Sequence, residues 1–87
     1  MSSLKNKRVL LTGATGGIGR AVLNELLQAG AEVLISGRDA NALAQLADIA
    51  PGSIRTFAAD LTDQIARQEL YDYCAASGGI DVLINNA

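Results

Sequence analysis

This sequence predicts an α/β fold, the amino-terminal part of a doubly wound parallel sheet with strand order 3-2-1-4. Three observations lead there. Short, nearly continuous apolar runs alternate with longer stretches of helical periodicity, four of the first and three of the second. Glycine or Pro-Gly closes each helical stretch before the next run begins. The first run leads straight into "TGATGGIG", which places four glycines within seven residues. Strand–helix repeats require parallel crossovers, and the right-handed rule leaves few ways to arrange them.

Each element has its own warrant. Arg8 to Thr12 ("RVLLT") reads as a strand buried on both faces. Ile18, Ala21, Val22, Leu26 and Ala29 recur at helical spacing, opposite Arg20, Asn24 and Gln28, and Gly30 stops that helix at C′. Val33 to Ser36 is a second buried strand. Asp39 or Asn41 caps a second helix, which buries Leu43, Leu46, Ala47 and Ala50 and ends at Pro51-Gly52. Ile54 to Ala59 is a weaker third strand, interrupted by Arg55 and Thr56. Thr62 is expected to cap a third helix reaching about Ala76, with Ile65, Leu70, Tyr73 and Cys74 inward and Gly78-Gly79 at its end. Asp81 to Asn85 ("DVLIN") is the fourth strand. The first two crossovers place two helices on one face, so the other face has only the third helix. The fourth strand is left as an edge whose Val82, Leu83 and Ile84 want cover on both sides, and an exposed apolar patch is expected there.

Composition narrows the function classes. The 87 residues suffice for one small domain, and 49% hydrophobic residues allow it a packed core. A net charge of -2 argues against nucleic acid or an anionic membrane as partner. One cysteine, Cys74, excludes a disulfide framework and a multi-cysteine metal site, and is expected in the core. Histidine is absent, which removes the commonest metal ligand and general base. No apolar run reaches the length of a membrane span, and "MSSLKNKR" is too short and polar for a signal peptide. A soluble, cytoplasmic protein is expected.

The glycine cluster carries the chemistry. It lies between a strand's carboxyl end and a helix N-terminus, where ligands of open α/β sheets bind and where free N–H groups and the helix dipole favour a phosphate. Glycines there permit a tight turn and close approach of a pyrophosphate, and Gly19 permits close helix–sheet packing. Dinucleotide binding explains the cluster. The common Gly-x-Gly-x-x-Gly form fails at Thr15, and a P-loop fails for want of a Gly-Lys-Ser/Thr ending. Thr12-Gly13-x-x-x-Gly17-x-Gly19 fits instead and resembles the short-chain dehydrogenase/reductase family. Gly16 also satisfies the form used by that family's extended, epimerase-like branch.

Three more stretches are similar to the family: "ISGRD" (Ile35 to Asp39), "AADLTD" (Ala58 to Asp63) and "INNA" (Ile84 to Ala87), the last favouring the compact branch. The resemblance spans essentially the whole chain and implies the amino-terminal part of one Rossmann-type, nicotinamide-dinucleotide-binding domain, closest in pattern to ketoacyl-carrier-protein reductases. It implies cofactor contacts at Gly13, Ala14, Thr15, Gly16, Gly17, Ile18 and Gly19 for the pyrophosphate. Arg38 is implied at the adenosine ribose, Asp60 and Leu61 at the adenine, and Asn86 and Ala87 beside the other ribose. Arg38 also reads as a solvated loop arginine, Asp60 as a cap of the third helix, and Asn85 and Asn86 as structural. The cofactor expected is NADP(H) rather than NAD(H). Enzymes that choose NAD carry an acidic residue at the end of the second strand, whereas Gly37 stands there and Arg38 follows, able to pair with a 2′-phosphate.

Catalysis in the family uses a tyrosine, a lysine four residues later and a serine. Here Ala75 follows Tyr71 at that spacing and Ser77 follows Tyr73, while the only lysines, Lys5 and Lys7, precede the first strand. No catalytic residue and no metal ligand is therefore assigned. The expectation is the cofactor portion of a longer reductase that acts on a small carbonyl or alcohol and is homo-oligomeric when full length. Two alternatives stay open: a non-catalytic dinucleotide sensor and an epimerase-like enzyme of the extended branch.

Overall fold

The computed structural model describes residues 3–86. Strands β1 (Arg8–Thr12), β2 (Glu32–Gly37), β3 (Ile54–Ala58) and β4 (Val82–Asn85) alternate with helices α1 (Gly17–Gln28), α2 (Ala40–Ala47) and α3 (Gln64–Ala76). All strand pairs are parallel, in the order β3-β2-β1-β4. This is the arrangement the alternating pattern predicts.

Strand periodicity sorts the apolar residues onto two faces. Val9, Leu11, Val33, Ile35 and Ile54 point toward α1 and α2, where they meet Leu23, Leu26, Leu43 and Leu46. Leu10 and Leu34 point the other way and meet Leu70 and Cys74 of α3, with Phe57, Leu61 and Tyr73 packed alongside. Fully burying a leucine contributes roughly 1.5–3 kcal/mol, so β1, with Leu10 and Leu11 both sealed from solvent, anchors both layers. At the β4 edge, Val82 and Ile84 are half-buried against the first cluster, whereas Leu83 on the α3 side is 53% exposed. Asp81 lies just outside β4 rather than in it. Its N–H donates to the Arg8 carbonyl at 2.8 Å, and its Oδ2 accepts from the Arg8 N–H at 2.9 Å.

The helices depart from expectation in ways that have local causes. Ile18 is 74% exposed and Ala21 is exposed, while Leu23 is buried. At the start of α1, Gly19 rather than Ile18 is the inward residue, packed on the Gly13 and Ala14 backbone of the preceding turn, and the inward stripe continues through Leu23 and Leu26 at i+4 and i+7. Asp39, rather than Asn41, caps α2, its Oδ1 accepting from the N–H groups of Asn41 and Ala42. That helix ends at Ala47, short of Pro51-Gly52, because two turns follow it: Ile49 N–H to Leu46 and Ser53 N–H to Ala50. These turns return the chain to the sheet so that Ile54 lies beside Val33. Thr62 does not cap α3. Its N–H and hydroxyl both donate to Asp60, and Asp63 takes the capping position, accepting from Ile65 N–H. Ile65 is 71% exposed, one position off the stripe that runs to Leu70 and Cys74. Among the described residues no helix is long and apolar enough to cross a membrane.

Candidate functional site

Parallel strands bring all their carboxyl ends to one edge of the sheet, and the described site residues expected from the sequence gather there. The turn from β1 into α1 holds Gly13 to Gly16. Arg38 follows β2, Asp60 and Leu61 follow β3, and Asn86 follows β4. Ala87 lies outside the described residues. Of the turn, Ala14 is buried, Gly13 is half-buried, and Thr15, Gly16, Gly17 and Ile18 face solvent.

The glycines differ in what requires them. Gly13 has φ of 74°, a conformation side chains resist. A Cβ on Gly19 would stand 2.7 Å from Ala14 Cα and 2.8 Å from the Gly13 carbonyl carbon, and would press on the Gly13 oxygen. Packing therefore accounts for Gly19. At Gly16 and Gly17 a Cβ would meet nothing within 4 Å, and neither residue has a positive φ. No contact among the described residues accounts for these two bare positions. They sit at the N-terminus of α1, which has no side-chain cap and no acidic residue in its first turn, whereas Asp39 and Asp63 cap α2 and α3. Helix N-termini need partners for their N–H groups, and no side chain among the described residues caps those of α1.

The turn is clasped to β4. Thr12 is 4% exposed. Its hydroxyl donates to Asn85 Oδ1 at 2.9 Å and accepts from Asn86 N–H at 3.2 Å. Asn86 Nδ2 donates to the Gly13 carbonyl at 3.4 Å. Asn85 and Asn86 thus have the structural role read from the sequence, and Asn86 lies against the glycine turn as well.

Two charges stand at the ends of β2 and β3. Hydrogen bonds from the Thr62 hydroxyl and then its N–H hold the Asp60 carboxyl below the usual carboxylate range. Partial desolvation opposes them and the nearby Arg38 charge adds to them. Arg38 is exposed and in no ion pair among the described residues. Asp39 is turned away from it, its carboxylate engaged in capping α2. At Gly37 the nearest atom to an added Cβ is Leu43 Cδ2 at 4.0 Å, so a side chain fits.

At the carboxyl ends of β1 and β4 lies a concavity of about 280 Å³, with Thr12, Leu61, Arg67, Tyr71, Leu83 and Asn85 among its lining and no residue of the glycine turn. It opens on the α3 side because nothing among the described residues covers Leu83. A smaller one, about 60 Å³, lies at the opposite end of the sheet beside Arg8, Arg55 and Cys74. Tyr71 is exposed, and Tyr73 packs on Phe57 with ring centroids 5.0 Å apart. Among the described residues neither has a hydrogen bond to a lysine. Among the described residues no cluster of His, Cys, Asp or Glu could hold a metal ion.

Two supports of this edge escaped the sequence reading. Thr62, two residues beyond Asp60, fits the Asx-turn spacing and was legible in principle. Arg67 donates from Nη1 to the Leu61 carbonyl at 2.8 Å, a side chain reaching back six residues to a backbone oxygen, and no sequence pattern marks that.

A sequence profile of the family described as short chain dehydrogenase matches residues 7–87. The chain belongs to this family. A short chain dehydrogenase/reductase of Macrophomina phaseolina is 40% identical over 91 residues, an alignment spanning 99% of this chain and 52% of that one. The rhamnolipids biosynthesis 3-oxoacyl-[acyl-carrier-protein] reductase of Pseudomonas aeruginosa is 38% identical over 88 residues, spanning 98% and 34%. Among solved structures, the Pseudomonas aeruginosa RhlG/NADP active-site complex superposes with a TM-score of 0.88 at 34% identity, covering 99% of this chain and 36% of that one. The short chain dehydrogenase fold is thus shared along this chain, which spans about half to a third of the length of these relatives.

Proposed function

We propose that this chain is the cofactor-binding portion of an oxidoreductase that passes hydride between NADP(H) and a carbonyl/alcohol pair. The observation that carries the reading is the pair of bare glycines, Gly16 and Gly17, which no contact among the described residues requires and which stand at a helix N-terminus without a side-chain cap. A pyrophosphate laid against them accepts from the first N–H groups of α1 and meets the positive end of its dipole. Thr12 and Asn86 hold the turn in register with β4 while it does so. Asp60 presents a carboxylate to the adenine amino group, and the Leu61 backbone N–H donates to the ring. The nicotinamide, when bound, carries the hydride. The catalytic acid and base belong to the remainder of the protein, along with the substrate contacts.

NADP(H) is the cofactor the charges favour. Gly37 leaves no carboxylate to repel a 2′-phosphate, and Arg38, exposed beside it, is in no ion pair among the described residues. Because Asp39 caps α2, it does not compete for the guanidinium. The RhlG structure, described as an NADP complex, supports the same choice.

The test is Gly17→Val in the full-length protein. With open space around that position, the variant is expected to unfold at the wild-type temperature yet lose NADPH affinity in a fluorescence titration. Unchanged affinity would refute the pyrophosphate site.

A further inference from the structure

The segment after β3 is held more firmly than an exposed loop requires. The Leu61–Thr62 peptide group lies between two charges. Its N–H donates to Asp60 Oδ1 at 3.0 Å, and its carbonyl accepts from Arg67 Nη1 at 2.8 Å. The Thr62 hydroxyl donates to the same Oδ1 at 2.7 Å. Both bonds fall on one carboxylate oxygen, so Oδ2 has no protein donor among the described residues. Asp63 N–H closes the turn onto the Asp60 carbonyl at 3.0 Å.

We propose that Arg67 is a positioning residue for adenine recognition, setting the orientation of Asp60 through the Leu61–Thr62 peptide. The inference rests on the reading that Asp60 accepts a hydrogen bond from the adenine amino group. Three observations support it. Arg67 stands at the fourth residue of α3, near the positive end of the helix dipole, where a cation is disfavoured. Its half-buried side chain turns back out of the helix to a carbonyl, and does not run out into solvent. A charged donor on a peptide carbonyl also polarises that peptide, making its N–H a better donor to Asp60. Finally, Leu61 packs against the core cluster under α3, so the peptide is fixed by its side chain as well as by both its polar groups.

The experiment compares two cofactors in the full-length protein: NADPH, and its hypoxanthine analogue, in which a carbonyl oxygen replaces the amino group. An oriented carboxylate attracts the first and repels the second. Wild type is expected to prefer adenine by about tenfold, the scale of a hydrogen bond to a charged group at an exposed site. Asp60→Ala is expected to erase the preference. Arg67→Met is expected to reduce it to about two- to threefold, on the scale of a weakened rather than a lost bond, with affinity for NADPH lowered and affinity for the hypoxanthine analogue not lowered. Arg67→Lys, which keeps a charged donor, is expected to retain most of it. If Arg67→Met keeps the full preference, or weakens both cofactors equally, the positioning role is overturned. If Asp60→Ala keeps the preference, the reading of Asp60 itself fails. Should the methionine variant not fold, Arg67→Gln takes its place: an intermediate preference supports the role, and the wild-type preference overturns it.

Discussion

Gly19→Ala is the substitution for which the structure sets the largest effect from the smallest change. The added Cβ would lie 2.7 Å from Ala14 Cα and 2.8 Å from the Gly13 carbonyl carbon. Carbon atoms at rest keep about 3.5–4.0 Å between them, so the start of α1 must move away from the turn by about 1 Å. All the atoms it meets are backbone, and no side chain can swing aside. Overpacking of this kind costs about 1–3 kcal/mol, and the helix preference of alanine over glycine returns at most about 1 kcal/mol. A net loss of up to about 2 kcal/mol lowers the melting temperature by up to roughly 8 °C in a protein of its relatives' length. Function falls further than stability. Displacing the α1 N–H groups by about 1 Å takes a hydrogen bond beyond its useful range, and losing one charged bond costs about ten- to a hundredfold in affinity. Calorimetry and NADPH titration of the full-length variant measure the two effects. An unchanged melting temperature together with unchanged affinity would refute the packing role of Gly19 and the placement of the ligand against α1.

Arg38→Ala is expected to weaken NADPH about ten- to a hundredfold and to leave NADH nearly untouched, the range for a charge-assisted bond to phosphate; specificity constants for both cofactors measure it, and equal loss for both would reduce Arg38 to a surface residue. Gly37→Asp, which fits without a clash, is expected to move preference toward NADH in the same assay. Burial pushes the Cys74 thiol above its ordinary range, so the native protein is expected to resist alkylation, with modification of the Cys74 peptide by mass spectrometry appearing only on unfolding. The sign for stability follows: the contribution is whole below the unfolded thiol's pKa and is lost as pH rises through the higher folded value, so melting temperatures at alkaline pH should fall less in Cys74→Ala.

The strands were legible because a parallel sheet buried on both faces leaves a continuous apolar run, as in "VLL" of β1 and "VLIS" of β2. Helix faces were legible to within one residue. The error at α1 arose because apolar Ile18 reads as the inward residue, while the contact belongs to Gly19, whose lack of a side chain lets the helix start lie on the Gly13–Ala14 backbone. Caps were ambiguous for a different reason. Asp60, Thr62 and Asp63 can each accept from a helix N-terminus, and only the three-dimensional turn shows that Thr62 spends its donors on Asp60. The gathering of Gly13, Arg38, Asp60 and Asn86 at one edge followed from topology alone. The reach of Arg67 to the Leu61 carbonyl did not, since a bond to a backbone oxygen leaves no mark on the residue that accepts it.

The hydroxyl of Thr12 joins two stretches 73 residues apart. That span makes the glycine turn a late-forming element. Closing so long a loop carries an entropic cost that local turns do not, so the first βαβ unit can assemble while its turn still lacks the partner that sets its register. Only when β4 lies alongside β1 do Asn85 and Asn86 lock the turn. Sheet completion and readiness for a dinucleotide are then one event, and by reciprocity a ligand seated on the turn holds the edge strand in place. On the function proposed above, a nascent chain would lack the clasp on its cofactor turn until residue 86 had been synthesised and placed, whatever the state of the glycines some seventy residues earlier.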